Sequence, residues 1–398
     1  MQQQVMDLAR DYRDDIVGFM RRLIQASSVS GRERAVVEVI RAEMERTGFD
    51  EITIDPLGNI IGRVGSGSTI IAMDAHIDTV DVGDPEQWTV PPFSGKVEGD
   101  WLYGRGAADQ KGGMASMVYG MRIIRDLGLP ENVSVYVVGS VLEEDCDGLC
   151  WRYIIEQDQI RPDCVVITEP TALRIHRGQK GRIEVAVRTS GRSAHASAPE
   201  RGENAVYKMA RVVSEIEELD TRLTVHPVLG KGTIVVSEIR SGSPSVNAVP
   251  DRCSIHIDRR LTAGETKEKA LRQLRDAIER AGVDAEIVEL TYDQPSYTGV
   301  HYPAEKYFPA WLEREDAAIT RAAKTAFRAA FDRDAEISTW VFSTNGTVTR
   351  GVYGIPTVGF GPGDEAYAHA PNERVRIDEL VSAAAFYATF PRHVTDQR

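Results

Sequence analysis

Helical spacing of apolar residues marks the first part of the chain. Between residues 5 and 24 the apolar positions recur at helical intervals, which predicts one amphipathic helix. These positions include Leu8, Ile16, Phe19 and Leu23. A break containing Ser and Gly at 28–31 separates this segment from a second helix that ends near Thr47. Residues 50–65 then show the alternation and the central turn of a β-hairpin.

Short apolar runs further along predict buried strands that end in acidic or imidazole side chains. One run ends with His76 and Asp78, which face the same way because side chains two apart on a strand share a face. Two further runs end in Glu143–Glu144 and in Glu169. Asp109 stands where a Gly-rich loop enters a helix. Because strands alternate with helices here, we expect an α/β fold with a doubly wound mixed sheet, whose strands' carboxyl ends carry these residues.

The pattern changes between residues 179 and 294. Its strands alternate between apolar and polar positions, as in a sheet with one exposed face. The order strand, helix, strand, strand, helix, strand over about 115 residues is that of a ferredoxin-like α+β domain. Buried-strand and helix patterns then resume. We therefore expect a catalytic domain formed by 1–178 and 295–398, with an inserted domain at 179–294 that could move as a lid.

Composition restricts the classes of partner. The 398-residue chain has a formal net charge of −13, which argues against nucleic acid and anionic membrane surfaces. No run of about 18 apolar residues exists, so no transmembrane helix is expected. The amino terminus lacks the basic and apolar regions of a signal peptide. The four cysteines include no CxxC pair and are interpreted as reduced, buried thiols, so we expect a cytoplasmic location.

The residues at the strand ends and in the loops form a donor set for two divalent ions. His369, in a Gly-rich loop near the end of the chain, supplies a second imidazole. Two imidazoles and three or four carboxylates on separate segments suit borderline ions with nitrogen and oxygen ligands. One carboxylate must bridge the two ions. Of the adjacent Glu143 and Glu144, one can bind metal while the other takes a proton from a water whose pKa is lowered to about 7.

Eight motifs follow one another along nearly the whole chain. They are AHIDTV, GRGAADQKGG, EED, TEPT, GRSAHASAP, NAVPD, DRRL and AHAPNE. Together they resemble the M20 family of dinuclear zinc peptidases and amidohydrolases, which includes acetylornithine deacetylases, succinyl-diaminopimelate desuccinylases, carboxypeptidases and dipeptidases. The resemblance is closest to the YgeY-like branch, through EEDCDGLCW, HASAPERG, FSTNG and GFGPGDE. The segment WVFSTNGT differs from better-known branches, which leaves the acyl group and the side chain of the substrate open.

The resemblance implies a complete set of metal ligands. His76 and Glu169 would bind the first metal, and Asp109 would bridge both. Glu144 and His369 would bind the second. The implied cofactors are two Zn²⁺ ions per chain, with Co²⁺ or Mn²⁺ as possible substitutes. The peptide bond between Asp109 and the residue that follows it is expected to be cis, an uncommon feature usually tied to a site.

Catalytic and substrate-binding residues are also implied by the resemblance. Asp78 would hydrogen-bond His76 and set its tautomer. Glu143 would be the general base and later protonate the leaving amine. In the inserted domain, His195 would cross a dimer interface to stabilise the tetrahedral oxyanion. Asn247 and Arg260 would contact polar groups of the substrate, commonly a carboxylate.

These features predict a homodimeric metallo-amidohydrolase that acts on a small amino-acid-like substrate. Removal of an N-acyl group is the first hypothesis, and a dipeptidase or carboxypeptidase activity is the second. A metal-binding homologue without turnover is a third, although the intact pair Glu143–Glu144 argues against it. A nucleotide-dependent enzyme is a further alternative, but the sequence lacks the lysine-containing phosphate-loop motif that such an enzyme needs. Lys111, beside the carboxylates, is predicted to be a solvated lysine at a helix start.

Overall fold

The computed structural model describes residues 2–395 and confirms most of the helical periodicity. Its helices are α1 (Gln2–Asp11), α2 (Arg13–Gln25), α3 (Arg34–Thr47), α4 (Gly112–Leu127), α5 (Leu149–Glu156), α6 (Ala205–Thr221), α7 (Lys267–Ala281), α8 (Ala318–Phe331) and α9 (Ile377–Thr395). No helix in this part of the chain combines the length and the apolar character needed to cross a membrane.

The amino-terminal pattern forms two helices, so the prediction of one helix over 5–24 is wrong. Tyr12 separates α1 from α2, with φ of −84° and ψ of 3°. Its hydroxyl donates to Asp126 and accepts from Arg122, both on α4. These contacts are long-range, and a periodicity of side chains cannot show them.

The larger sheet contains the strands that end at or shortly before His76, Glu143–Glu144 and Glu169. Its strands are β1 (Glu51–Ile54), β2 (Ile60–Gly65), β3 (Thr69–His76), β6 (Val133–Ser140), β7 (Cys164–Ile167), β8 (Ile175–Gln179), β18 (Trp311–Leu312), β19 (Ile337–Trp340) and β20 (Thr357–Gly359). Their order is β1-β2-β6-β3-β7-β20-β8-β18, and β19 also pairs with β8. β3 runs parallel to β6 and β7, and β20 runs parallel to β7. The outer strands include antiparallel pairs, so the sheet is mixed as predicted.

A second sheet lies in the predicted insert. Its strands are β9 (Gly181–Ser190), β12 (Thr233–Gly242), β13 (Arg252–Leu261), β14 (Glu286–Glu289) and β17 (Tyr307–Phe308). Their order is β12-β13-β9-β14, with β17 also paired to β9. With α6 and α7 this is the β-α-β-β-α-β arrangement of a ferredoxin-like domain. β17 adds to this sheet from beyond residue 294, and the exact domain boundaries stay a prediction.

Small strands complete the fold. A three-stranded sheet contains β4 (Lys96–Glu98), β5 (Trp101–Tyr103) and β21 (Arg374–Arg376), and two ribbons contain β10 (Val225–His226) with β11 (Gly230–Lys231) and β15 (Thr291–Tyr292) with β16 (Ala304–Glu305). The buried apolar side chains form one cluster around the larger sheet and another between the insert's sheet and its helices. The two clusters give each part its own hydrophobic core.

Candidate active site

Three neighbouring parallel strands end at the same edge of the larger sheet and bring the first residues of the site together. His76 is the last residue of β3. Glu143–Glu144 follow β6, and Glu169 follows β7, each by two to four residues. Asp109 reaches the same place from a short helical segment before α4, and His369 from the loop before β21. This convergence is what the strand-end pattern predicted.

The His76 imidazole faces several carboxylates. Its Nε2 lies 2.9 Å from an oxygen of Asp109, 3.6 Å from Glu169 and 3.9 Å from Glu143. The His76 side chain is almost completely buried, and the Glu169 side chain is 3% exposed. Charged groups so far from solvent require partners.

A second imidazole completes the cluster from the opposite side. Nε2 of His369 lies 3.2 Å from Asp109 Oδ2 and 3.0 Å from Glu144 Oε2. Since the other oxygen of Asp109 contacts His76, the two oxygens of one carboxylate face the two imidazoles. His369 has a φ of 58°, in the left-handed region, and the peptide bond between Asp109 and Gln110 is cis.

The donor set fits metal ions. Ligand atoms of His76, Glu143 and Glu169 lie within 4.8 Å of one another, as do those of His76, Asp109 and Glu144. Glu143 Oε1 and Glu169 Oε2 are buried and have no hydrogen-bond partner. Buried carboxylate oxygens without partners, beside imidazole nitrogens, are suitable ligands for a divalent cation. The first of these groups includes Glu143, so its place off the metals stays a prediction.

Electrostatics in the cluster favours a cation as well. Burial raises the pKa of the carboxyl groups of Glu143, Glu144 and Glu169. Hydrogen bonds to Asp109 and Glu144 raise the pKa of His369 to about 10. Burial alone would lower the pKa of His76, but the charges of the surrounding carboxylates raise it well above its usual value. Protons held in this way are the ones that a bound metal displaces.

Asp78 contacts the backbone of the paired glutamates. Its two carboxylate oxygens accept from the N–H groups of Glu143 at 3.2 Å and Glu144 at 3.1 Å. The hydroxyl of Ser30 donates to it at 2.6 Å. The Nδ1 of His76 lies 2.9 Å from the main-chain oxygen of Asp78 and 3.5 Å from its carboxylate. The His76 imidazole is therefore hydrogen-bonded to the main-chain carbonyl of Asp78, whereas the Asp78 carboxylate binds the loop that carries the two glutamates.

A cavity of about 270 Å³ opens onto the cluster. Besides the six predicted histidines and acids, its lining includes Arg260 from β13, together with Arg182, Phe342 and Ser343. His195 and Asn247 do not line it. They lie on exposed neighbouring loops of the insert, where Ala196 N–H donates to the Asn247 carbonyl at 2.9 Å.

Comparison with known proteins agrees with this geometry. The model of peptidase family M20/M25/M40 matches residues 72–393. The chain belongs to this family. It is a metal-dependent hydrolase of amide or peptide bonds.

Several proteins are similar to this chain over nearly its whole length. The uncharacterized protein YgeY of Escherichia coli K12 is 48% identical over 97% of this chain and 96% of its own. A probable succinyl-diaminopimelate desuccinylase of Staphylococcus epidermidis is 24% identical over 94% of this chain and 96% of its own length. The structure of the Bacillus subtilis YXEP protein, a dinuclear metal-binding peptidase of the M20 family, superposes with a TM-score of 0.72 at 15% identity, covering 98% of this chain and all of that one.

Sequence reasoning missed residues around this M20 site. Arg182, from the first strand of the insert, contacts Asp147 of the loop after the glutamate pair at 2.9 Å. Its guanidinium lies 4.6 Å from the ring centre of Phe308. Arg182 is one of the polar residues in the alternating pattern of β9, a pattern that shows a face but not what the face contacts.

The prediction of a solvated Lys111 is wrong. Its side chain is completely buried, and its Nζ donates to the carbonyls of Leu23 and Ala26, both at 2.9 Å. These carbonyls are at the end of α2 and just after it. The lysine therefore joins α2 to the segment that carries Asp109. It contacts no carboxylate of the cluster.

Proposed function

We propose that this protein is a dinuclear zinc amidohydrolase that removes the N-acyl group of a small amino-acid-like compound. The observation that carries the proposal is the arrangement around Asp109, whose two oxygens face His76 and His369. Glu143 lies beside them with a buried, unpartnered oxygen. Two-metal hydrolases need such a bridging carboxylate together with a nearby base.

We propose that the ligands are divided between two ions as the family resemblance implies; the contacts of His76 with Glu169 and of His369 with Glu144 support this division. His76 and Glu169 would bind one zinc, Glu144 and His369 the other, and Asp109 both. Cobalt or manganese could replace zinc at such nitrogen and oxygen ligands. When bound, the ions would polarise the amide carbonyl and lower the pKa of water.

The protein's own side chains then account for proton transfer and for substrate orientation. Glu143 would take a proton from the attacking water and give it to the leaving nitrogen. Arg260, in the wall of the same cavity, would bind a carboxylate of the substrate, and Asn247 would add a polar contact. Arg260 donates from Nε and Nη2 to the two carboxylate oxygens of Asp258 at 2.7 and 3.0 Å, and this pair of bonds favours one orientation of its guanidinium.

A homodimer formed through the insert is part of the proposal. β12 is an edge strand that pairs with β13 on one side, and no described strand pairs with its other side. Val235 and Ile239 on this strand are 54% and 57% exposed, and Tyr207 on α6 is 71% exposed. An apolar edge strand of this kind suits pairing with a second copy. Pairing there would allow His195 of one chain to serve the cavity of the other.

The location proposed for this enzyme is the cytoplasm. All four cysteines are buried and none is paired in a disulfide, as the interpretation of reduced thiols requires. Proteins of oxidising compartments more often pair their cysteines.

Amine release from a panel of substrates tests the activity. N-acetyl, N-succinyl and N-carbamoyl amino acids and dipeptides would each be incubated with zinc or cobalt and, separately, with chelator. Metal-dependent turnover of N-acyl compounds is the expected result. Faster turnover of dipeptides would replace the proposal with a peptidase. No turnover with two ions bound per chain would contradict it in favour of a non-catalytic homologue.

A further inference from the structure

Glu373 is a buried carboxylate outside the metal-ligand set. It lies four residues after His369, and its side chain is completely buried. The carboxylate accepts four hydrogen bonds, two at each oxygen. An ionised carboxylate has about four lone-pair sites, so its accepting capacity is filled.

Three of the four donors are backbone N–H groups of one short turn. Gly106 donates to Oε2 at 3.0 Å, while Ala108 and Asp109 donate to Oε1 at 2.8 and 2.9 Å. This turn ends at Asp109, whose carboxylate faces both imidazoles of the site. Glu373 is therefore hydrogen-bonded to the backbone that carries Asp109.

The fourth donor connects Glu373 to the other side of the site. Arg105 donates from Nη1 to Glu373 at 2.6 Å, and its Nη2 lies 3.5 Å from the carbonyl of His369. The Arg105 side chain is 3% exposed, and its guanidinium lies 5.2 Å from the ring centre of Trp88. One buried ion pair thus contacts the main chain of two facing site residues, Asp109 and His369.

We propose that Glu373 is a positioning residue for the metal centre, which orients Asp109 through its backbone and, through Arg105, the loop of His369. The inference rests on the proposed function for the identity of the metal ligands. Glu373 is not one of the proposed metal ligands, and it does not line the cavity. Hydrogen bonds behind metal ligands fix the geometry of those ligands.

Glu373→Gln tests the proposal because an amide cannot accept at both ends. Its NH₂ group would face N–H donors and break at least one pair of the four bonds. The affinity for zinc, measured on the full-length protein by competition with a chromogenic chelator, should fall about 10- to 100-fold. The visible absorption bands of the cobalt-substituted protein should also change, because they report ligand geometry.

The chain offers a matched control in Glu265. It forms an equally buried pair with Arg259 at 2.7 Å in the insert, and it also accepts from the N–H of Thr262. Glu265→Gln makes the same chemical change away from the metal ligands. It should therefore leave the zinc affinity and the cobalt spectrum as in the parent.

Two results would overturn the proposal. One is a Glu373→Gln protein with the parent's zinc affinity and cobalt spectrum. The other is an equal loss of affinity in Glu265→Gln, which would show a general effect of destabilisation. If Glu373→Gln does not fold, Glu373→Asp keeps the charge beside Arg105 but shortens the reach, and parental affinity and spectrum in that variant would equally overturn the proposal. A parent that binds two ions but cleaves no panel substrate would contradict the proposed function and leave this comparison intact.

Discussion

Glu143 has the surroundings expected of a general base. Its side chain is 7% exposed, one of its oxygens has no hydrogen-bond partner, and burial raises the pKa of its carboxyl. A carboxylate whose pKa is raised accepts a proton more readily than that of an exposed glutamate. Its neighbour Glu144 instead contacts His369.

We expect Glu143→Gln to keep near-normal metal content and to lose several orders of magnitude in kcat, because an amide cannot accept the proton of water. Metal content by mass spectrometry and kcat would be measured on the same preparation. Glu144→Gln is the control and should lose metal. Loss of metal from Glu143→Gln would identify it as a ligand instead.

His176 is a buried group outside the site whose pKa is far from its usual value. Burial, with the nearby charge of Arg174, lowers the pKa of its imidazole from 6.5 to about 3. Neither ring nitrogen has a hydrogen-bond partner, and the ring packs edge-on against Trp340 at 4.8 Å. The folded protein therefore keeps this histidine neutral.

His176 makes the folded state sensitive to acid. Between pH 6.5 and about 3 the unfolded chain takes up a proton that the folded chain does not, so stability falls as pH falls through this window. The contribution is on the order of 5 kcal/mol over the whole window. We expect His176→Phe to flatten the dependence of urea-unfolding stability on pH there. Substitution of the exposed His301 by Phe is the control for a general effect of losing a histidine, and an unchanged slope in His176→Phe would contradict the prediction.

At the scale of elements, the loop after β6 is held by two buried carboxylates. Glu33 accepts from the N–H of Leu142 at 3.3 Å, and Asp78 accepts from the next two N–H groups, those of Glu143 and Glu144. Leu142 has a φ of 62°, so the loop turns sharply before the glutamates. Three successive N–H groups are thereby satisfied in the interior.

We expect Asp78→Asn to lower kcat by about 10- to 100-fold, because one end of the amide cannot accept from the loop. Ser30→Ala, which removes only the hydroxyl that donates to Asp78, should have the smaller effect. Steady-state kinetics of both variants on one substrate would measure this. Equal effects would mean that the contacts with the glutamate loop are not what Asp78 contributes.

At the scale of the whole molecule, we propose that each active site uses His195 from the second chain of a dimer. His195→Ala should lower kcat by about 10²–10³-fold, as loss of an oxyanion donor does. If His195 acts across a dimer, mixing this variant with Glu143→Gln should restore up to about a quarter of the parent activity after exchange of chains. Mixed dimers would contain one site with neither defect. No restoration, in a protein shown by sedimentation to be dimeric, would place His195 within its own chain.

Local pattern alone determined the order of the elements and the ligand candidates. Apolar alternation and helical spacing reflect how each element meets its own core, so the larger sheet and the ferredoxin-like insert could be predicted from the sequence. His76, the glutamate pair and Glu169 were found because they lie at or shortly after the ends of buried strands. Asp109 and His369 were found by their places in Gly-rich loops.

Contacts between distant segments decided what local pattern could not. Burial of Lys111 against the end of α2, the break at Tyr12, and the pairing of Arg182 with Asp147 all depend on which elements pack together. The four donors of Glu373 come from a turn more than 260 residues away in the chain. Sequence determines which groups can donate, accept or bind metal, whereas their partners are decided only when the tertiary structure brings those groups within hydrogen-bonding distance.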